Sequence, residues 1–352
     1  MTMNRNVFTL LIFSLFSIVL QAQEITVPQT QRPLITKRTA SWCPFCGGWG
    51  WTFFRDVLDD NSGKAVFFAN HYDGIHTTPT TLTLSANFGG VSQPVFFLNN
   101  TNQNVSSGAT ATARTNIQNQ VNTAWATTPV VQSGIRAIHN SAAQTLNVTA
   151  KSRFFQSASG EYYLGIYLVF KEFVGFQSPI GNNAEHKEML RSHLTANAFG
   201  EQIANGAVAA GVETEVSGQI SIAGLDPTKL RVVTIIWKKE GTTYRVTNAN
   251  ETDDFLAPSS ANDLWAAQQQ LKIFPNIITE SARIELQITE SSLPWRMELV
   301  NTSGQVMETI FQGTLAGGTH TFSVERGTRP AGLYFVRLSN GLRSTSQRVV
   351  LR

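Results

Sequence analysis

Apolar positions along the chain fall into four successive regimes. The first is a predominantly apolar run from Val7 to Leu20, preceded by Arg5 and followed by Gln21-Ala22-Gln23. A membrane-spanning helix needs roughly 20 apolar residues, so this shorter run behind a positive charge reads as a signal peptide. Cleavage is expected after Ala22 or Gln23, which assigns residues 1–22 to the leader. In the second regime, residues 30–128, Pro33 to Ala40 predicts a strand, and Ala65 to Asn70 and Pro94 to Leu98 read as buried strands. Trp51, Phe54 and Leu58 recur at helical spacing, as do Ile117, Val121 and Trp125, predicting helices over Trp49 to Leu58 and Ala109 to Thr127. Thr77 to Phe88 reads as a short strand or loop. The third regime, residues 129–250, strings β-formers between Gly, Ser and Asn turns and predicts a β-sandwich. Within it, Glu185 to His193 interrupts the β pattern and reads as a short helix or a lid. Residues 251–270 read as a linker, and residues 271–352 as a small β-sandwich of their own, with Thr302-Ser303-Gly304-Gln305 as a hairpin turn. The fold class is therefore a multidomain chain, α/β first and all-β after it.

Length supports this division, since 352 residues exceed what one core accommodates. A charged fraction of only 14% and 26 glycines suit an extracellular, β-rich protein. The net charge of +3 arises entirely in residues 271–352, with 9 basic and 6 acidic side chains against 18 and 18 before them. No basic stripe marks a nucleic-acid partner.

The 2 cysteines, Cys43 and Cys46, stand at a predicted strand-to-helix junction. A disulfide across so short a loop removes little entropy from the unfolded chain, so stapling is a weak explanation for the pair. At a helix start, unpaired N–H groups and the macrodipole stabilise an anion. That favours the Cys43 thiolate as nucleophile and Cys46, one turn on, as the resolving thiol. A second reading takes Cys43 and Cys46 with His71 and His76 as a zinc ligand set; against it, both histidines suit surface loops. His186, Glu188 and His193 invite a similar metal or catalytic reading, against a solvated segment of mixed charge. Trp49 and Trp51 read as core.

Ser41-Trp42-Cys43-Pro44-Phe45-Cys46 and the Gln93-Pro94 step before a β run resemble the thioredoxin superfamily. The resemblance implies a thioredoxin-like fold, catalytic Cys43 and Cys46, and a cis Gln93–Pro94 bond beside the disulfide, with the Gln93 backbone free to pair with substrate. Trp42, Phe45, Gln93 and Pro94 are then the substrate-binding positions, the partners are protein or peptide thiols and disulfides, and neither a cofactor nor a metal is assigned. The order of leader, C-x-x-C unit and β-rich unit with His186-Lys187-Glu188-Met189-Leu190-Arg191 also resembles the 28-kDa outer-membrane-protein family of Bacteroidetes over residues 33–250. Where that family carries Glu-Phe-Thr-Gly before its cysteines, this chain has Lys37-Arg38-Thr39-Ala40-Ser41.

The Phe274-Pro275-Asn276 opening, the Thr302 to Gln305 turn, the Gly332-Leu333-Tyr334-Phe335-Val336 strand and the basic final strand resemble the type IX secretion C-terminal sorting domain. That resemblance implies the type IX machinery as partner, a secreted or cell-surface location reached through the periplasm, and either release or attachment to surface lipopolysaccharide. Two functional readings follow: a thiol–disulfide oxidoreductase, or a surface adhesin or binding protein on a non-catalytic thioredoxin scaffold.

Overall fold

The computed structural model describes residues 24–90, 92–257, 270–288, 294–340 and 343–352. The expected leader and most of the expected linker lie outside the described residues.

The first unit runs β1 (Leu34–Ala40), α1 (Pro44–Gly47), α2 (Trp49–Asp60), β2 (Val66–Asp73), α3 (Pro79–Phe88), β3 (Val95–Leu98), β4 (Thr101–Asn102) and α4 (Thr110–Trp125). β1 lies between β2, which is parallel to it, and antiparallel β3. Strands covered on both faces are apolar almost throughout, and Val66 to Ala69 and Val95 to Leu98 fit that rule. On one face α2 and α4 bury Phe53, Phe54, Val57, Ile117 and Val121 against Ile35, Phe67 and Phe96. On the other, α3 buries Leu84 and Phe88 against Leu34, Phe68 and Phe97.

α3 corrects the expectation of a strand or loop at Thr77 to Phe88. The five Thr residues of that segment weigh toward strand, but Thr78 is a helix cap: its Oγ1 accepts the Thr81 N–H at 3.2 Å while the Thr81 hydroxyl accepts the Thr78 N–H at 2.9 Å. Pro79 then occupies the first helical position, where a missing N–H costs nothing.

The second unit comprises β5 (Val131–Asn140), β6 (Thr145–Phe154), β7 (Ala158–Gln177), β8 (Gly181–His193), β9 (Glu201–Val208), β10 (Glu213–Ser221), β11 (Leu230–Glu240), β12 (Thr243–Thr252) and β13 (Phe255–Leu256). β10, β6, β5 and β13 form a four-stranded layer. It packs through Val148, Ala150 and Val216 onto Ile166, Leu168 and Val232 of the opposite layer. That opposite layer is shared with the first unit: β8 pairs with β7 on one side and with β2 at Ala69 and Met189 on the other. The result is one nine-stranded sheet in the order β12-β11-β7-β8-β2-β1-β3-β4, with β9 also on β7.

β8 is the second correction, because the Glu185 to His193 segment is neither helix nor lid but an interior strand. Its alternation was obscured by polar residues facing inward: Ala184, His186 and Glu188 are buried while Glu185 is exposed. The period then breaks near Glu188, which has φ 48, and further along β8 the pairing with β7 slips by one residue between Leu190 and Ser192.

The third unit contains β14 (Gln270–Phe274), β15 (Ile277–Ile278), β16 (Ser281–Ile288), β17 (Pro294–Asn301), β18 (Val306–Thr314), β19 (Gly318–Glu325), β20 (Gly332–Ser339) and β21 (Ser344–Leu351). Sheets β14-β16-β19 and β15-β21-β20-β17-β18 enclose Ile284, Leu286, Trp295, Leu299, Val336 and Val349. Burying each such aliphatic side chain contributes about 1.5–3 kcal/mol. At the turn between β17 and β18, Gly304 takes φ 82, and Asn301 Oδ1 accepts the N–H groups of Ser303 and Gln305 at 3.1 and 3.0 Å.

Candidate functional site

The site forms where β1 ends. Cys43 N–H donates to the Ala40 carbonyl oxygen at 3.2 Å, closing a tight turn that delivers Cys43 to the start of α1. Cys43 and Cys46 are joined in a disulfide with their Cα atoms 5.2 Å apart, and Cys43 Sγ accepts the Cys46 N–H at 3.1 Å. α1 is only four residues long and breaks at Gly48, whose ψ is −114°. The anion-stabilising feature is therefore this one local N–H rather than the dipole of a long helix, which revises the sequence argument.

Gln93–Pro94 is cis, and the Gln93 carbonyl oxygen lies 4.0 Å from Cys43 Sγ. Gly50 permits that approach, since a Cβ there would lie 2.6 Å from Pro94 Cγ. Trp42 and Phe45 stand at the rim, 46% and 64% exposed, and Trp42 Nε1 donates to Asp73 Oδ2 at 3.1 Å. The sulfurs themselves are covered: Cys43 is 2% and Cys46 0% exposed. Tyr72 packs against them, and Arg38 stacks 3.5 Å from the centre of the Tyr72 ring while donating to the Ser92 carbonyl oxygen at 2.9 Å.

Beneath the disulfide lies a buried basic layer. Lys37 sits between the faces of Trp51 and Phe54, with its Nζ 5.2 and 5.7 Å from their ring centres. Burial, and secondarily the nearby Arg55 guanidinium, push its pKa down to about 7. His71, His76 and His186 pack edge to face with ring centres 4.8 to 5.2 Å apart. All three are buried, which corrects the reading of His71 and His76 as surface-loop residues: His71 lies within β2 and His76 packs under the tip of β7. Burial first, and the unfavourable charge interaction with the neighbouring histidines and Lys37 second, hold His71 well below the usual imidazole range and bring His186 to about 4. Joined to each other, the sulfurs present no thiolate to these imidazoles.

His186, Glu188 and His193 do not converge. His186 joins the histidine cluster, Glu188 accepts from Arg231 Nη1 at 2.9 Å, and His193 Nδ1 meets the Thr80 hydroxyl at 2.8 Å. Burial raises the Glu188 pKa to about 7 despite Arg231.

Sequence reasoning missed two groups. Lys37 carried a signal, a lysine in the middle of an otherwise buried strand. The tip of the β7–β8 hairpin carried none: Ser178 N–H donates to the Ser41 carbonyl oxygen at 2.8 Å, and His76 Nε2 bonds the Phe176 carbonyl at 2.9 Å.

Residues 272–352, the third unit, match the family described as the secretion system C-terminal sorting domain. The third unit is a type IX sorting domain. The sorting domain marks the protein for export to the cell surface or for secretion by the type IX machinery. Among solved structures, HBP35 of Porphyromonas gingivalis is similar over 93% of this chain and 100% of its own, at 14% identity and a TM-score of 0.56. Dimeric latent PorU from Porphyromonas gingivalis is similar over 62% of this chain and 20% of its own, at 13% identity and a TM-score of 0.31. The likeness to HBP35 is one of fold. No curated protein matches the chain.

Proposed function

We propose that this exported protein is a thiol–disulfide oxidoreductase whose thioredoxin-like unit, residues 30–128, works through Cys43 and Cys46. The observation that carries the reading is the disulfide spanning the first turn of α1, with Cys43 Sγ against both the Cys46 N–H and the proline loop at Gln93. In the oxidising direction, a substrate thiolate attacks Cys43 Sγ. The Cys43–Cys46 bond breaks, Cys46 leaves as a thiolate, and a mixed disulfide joins Cys43 to the substrate. A second substrate thiolate then displaces Cys43, so the substrate leaves oxidised by two electrons and the protein carries two thiols once protons are taken up. The reducing direction runs the same steps backwards, with the Cys43 thiolate attacking a substrate disulfide and Cys46 resolving it. Trp42, Phe45 and the Gln93-Pro94 step surround Cys43 and are the substrate-facing positions.

Thiol trapping of the mature protein tests this reading. The reduced chain should exchange with a disulfide-containing model peptide, Cys43→Ser should abolish exchange, and Cys46→Ser should accumulate the mixed disulfide. Equal exchange by Cys43→Ser sinks it.

The near-complete burial of both sulfurs favours a second reading, a surface binding protein on a thioredoxin-like scaffold with a structural disulfide. On that reading, replacing both cysteines leaves partner binding intact. In either case the sorting domain would deliver the protein to release or to attachment on surface lipopolysaccharide.

A further inference from the structure

Gln177, the last residue of β7, is wholly buried at the redox turn. Its Nε2 lies 3.1 Å from the Ala40 carbonyl oxygen, 3.0 Å from that of Cys43 and 3.1 Å from that of Ser178. One side-chain amide thus ties both ends of the Ala40–Cys43 turn to the hairpin tip. The tie matters because α1 is so short: the helix breaks at Gly48 before α2 begins, and among the described residues the Cys43 carbonyl is otherwise held by the Gly47 N–H at 3.3 Å. The hairpin also sits hard against the turn, for a Cβ on Gly47 would lie 2.1 Å from the Ser178 carbonyl oxygen.

We infer that Gln177 is a positioning residue of the redox centre: by holding the Cys43 carbonyl, it keeps the first turn in the geometry that aims the Cys46 N–H at Cys43 Sγ. The β7–β8 hairpin, supplied by the second unit, is then part of the site. The inference rests on the thiol–disulfide reading and names the residue that tunes it. Once the disulfide opens, the Cys43 thiolate has that N–H as its hydrogen-bond donor, and a thiolate losing an oriented donor becomes more basic. Gln177→Ala removes the tie but keeps the Ser178–Ser41 backbone bond, so the hairpin stays docked.

The test uses the reduced full-length chain and follows alkylation of Cys43 by iodoacetamide from pH 5 to 9, with the modified peptide read by mass. Four proteins are compared: the parent, Gln177→Ala, Gly47→Ala, and Val148→Ala as a destabilised control in the distant sandwich core. Gln177→Ala and Gly47→Ala should move the midpoint of the rate profile up by about 0.5 to 1 unit and slow alkylation at pH 6 by about three- to tenfold. Val148→Ala should leave the midpoint in place. A lowered parent midpoint retained in Gln177→Ala, or an equal displacement in Val148→Ala, overturns this inference alone. A parent midpoint at the ordinary thiol value of about 8.5 sinks the redox reading and this inference with it.

Discussion

Lys37 and Cys46 meet directly beneath the disulfide, where Lys37 Nζ donates to the Cys46 carbonyl oxygen at 3.0 Å. The strand before the Cys43–Cys46 turn thus places a buried amine, bonded to no carboxylate among the described residues, against the residue proposed to resolve mixed disulfides.

That amine has a pH signature. With the folded pKa near 7 against an ordinary 10.5, the unfolded chain binds more protons than the folded one between those values. Stability should therefore rise as pH climbs from about 7 toward 10, with a slope of up to about 1.4 kcal/mol per unit from this group. Urea unfolding at pH 7, 8 and 9 measures it. Lys37→Met should remove this contribution, and an unchanged slope in the variant would refute the assignment.

The histidine cluster acts at the other end of the scale. His71 and His186 resist protonation when folded, so below about pH 6.5 the unfolded chain takes up protons that the folded chain refuses. Stability should fall with pH from about 6.5 toward 4, each imidazole contributing at most about 1.4 kcal/mol per unit. His186→Phe keeps an aromatic ring in the cluster and should flatten the acid limb of a melting-temperature profile. Retention of the full acid loss would count against the mechanism.

Gly50→Ala separates packing from propensity. Alanine is favoured in a helix by about 0.8–1.0 kcal/mol, yet its Cβ would lie 2.6 Å from Pro94 Cγ. The clash, costing about 1–3 kcal/mol, should give no net gain in the urea midpoint. It should also slow disulfide exchange by displacing the Gln93-Pro94 loop. A more stable variant with unaltered exchange would show that the contact is slack.

Removing residues 271–352 should leave an exported chain that the type IX machinery does not capture. Cell fractionation should find it in the periplasm rather than at the surface or in the medium. Surface delivery of the truncated chain would be falsifying.

What could be read before the structure was whatever depends on short stretches of chain. Cys43 to Cys46 and the turn at Thr302 to Gln305 have local determinants, and the alternation of Ala282, Ile284, Leu286 and Ile288 declares a strand with one buried face. What could not be read depends on distant partners. Gln177 bonds Cys43 across 134 positions, and His186 reaches His71 only because β8 pairs with β2. In β8 the buried side chains include His186 and Glu188, which a hydrophobic pattern counts as surface. In α3 the signals conflicted, because Thr is β-favouring in a strand interior yet serves at position 78 as a cap.

The pairing of β2 with β8 also constrains the order in which the molecule can be completed. A chain that crosses a membrane N-terminus first delivers β1 to β4 well before residues 181–193 arrive. Until then β2 presents a bare sheet edge, the kind of surface that recruits stray strands. The cysteines lie at the front of the sequence, but their surroundings are finished from the rear. A partner that shields this edge during transit would protect the site before it exists.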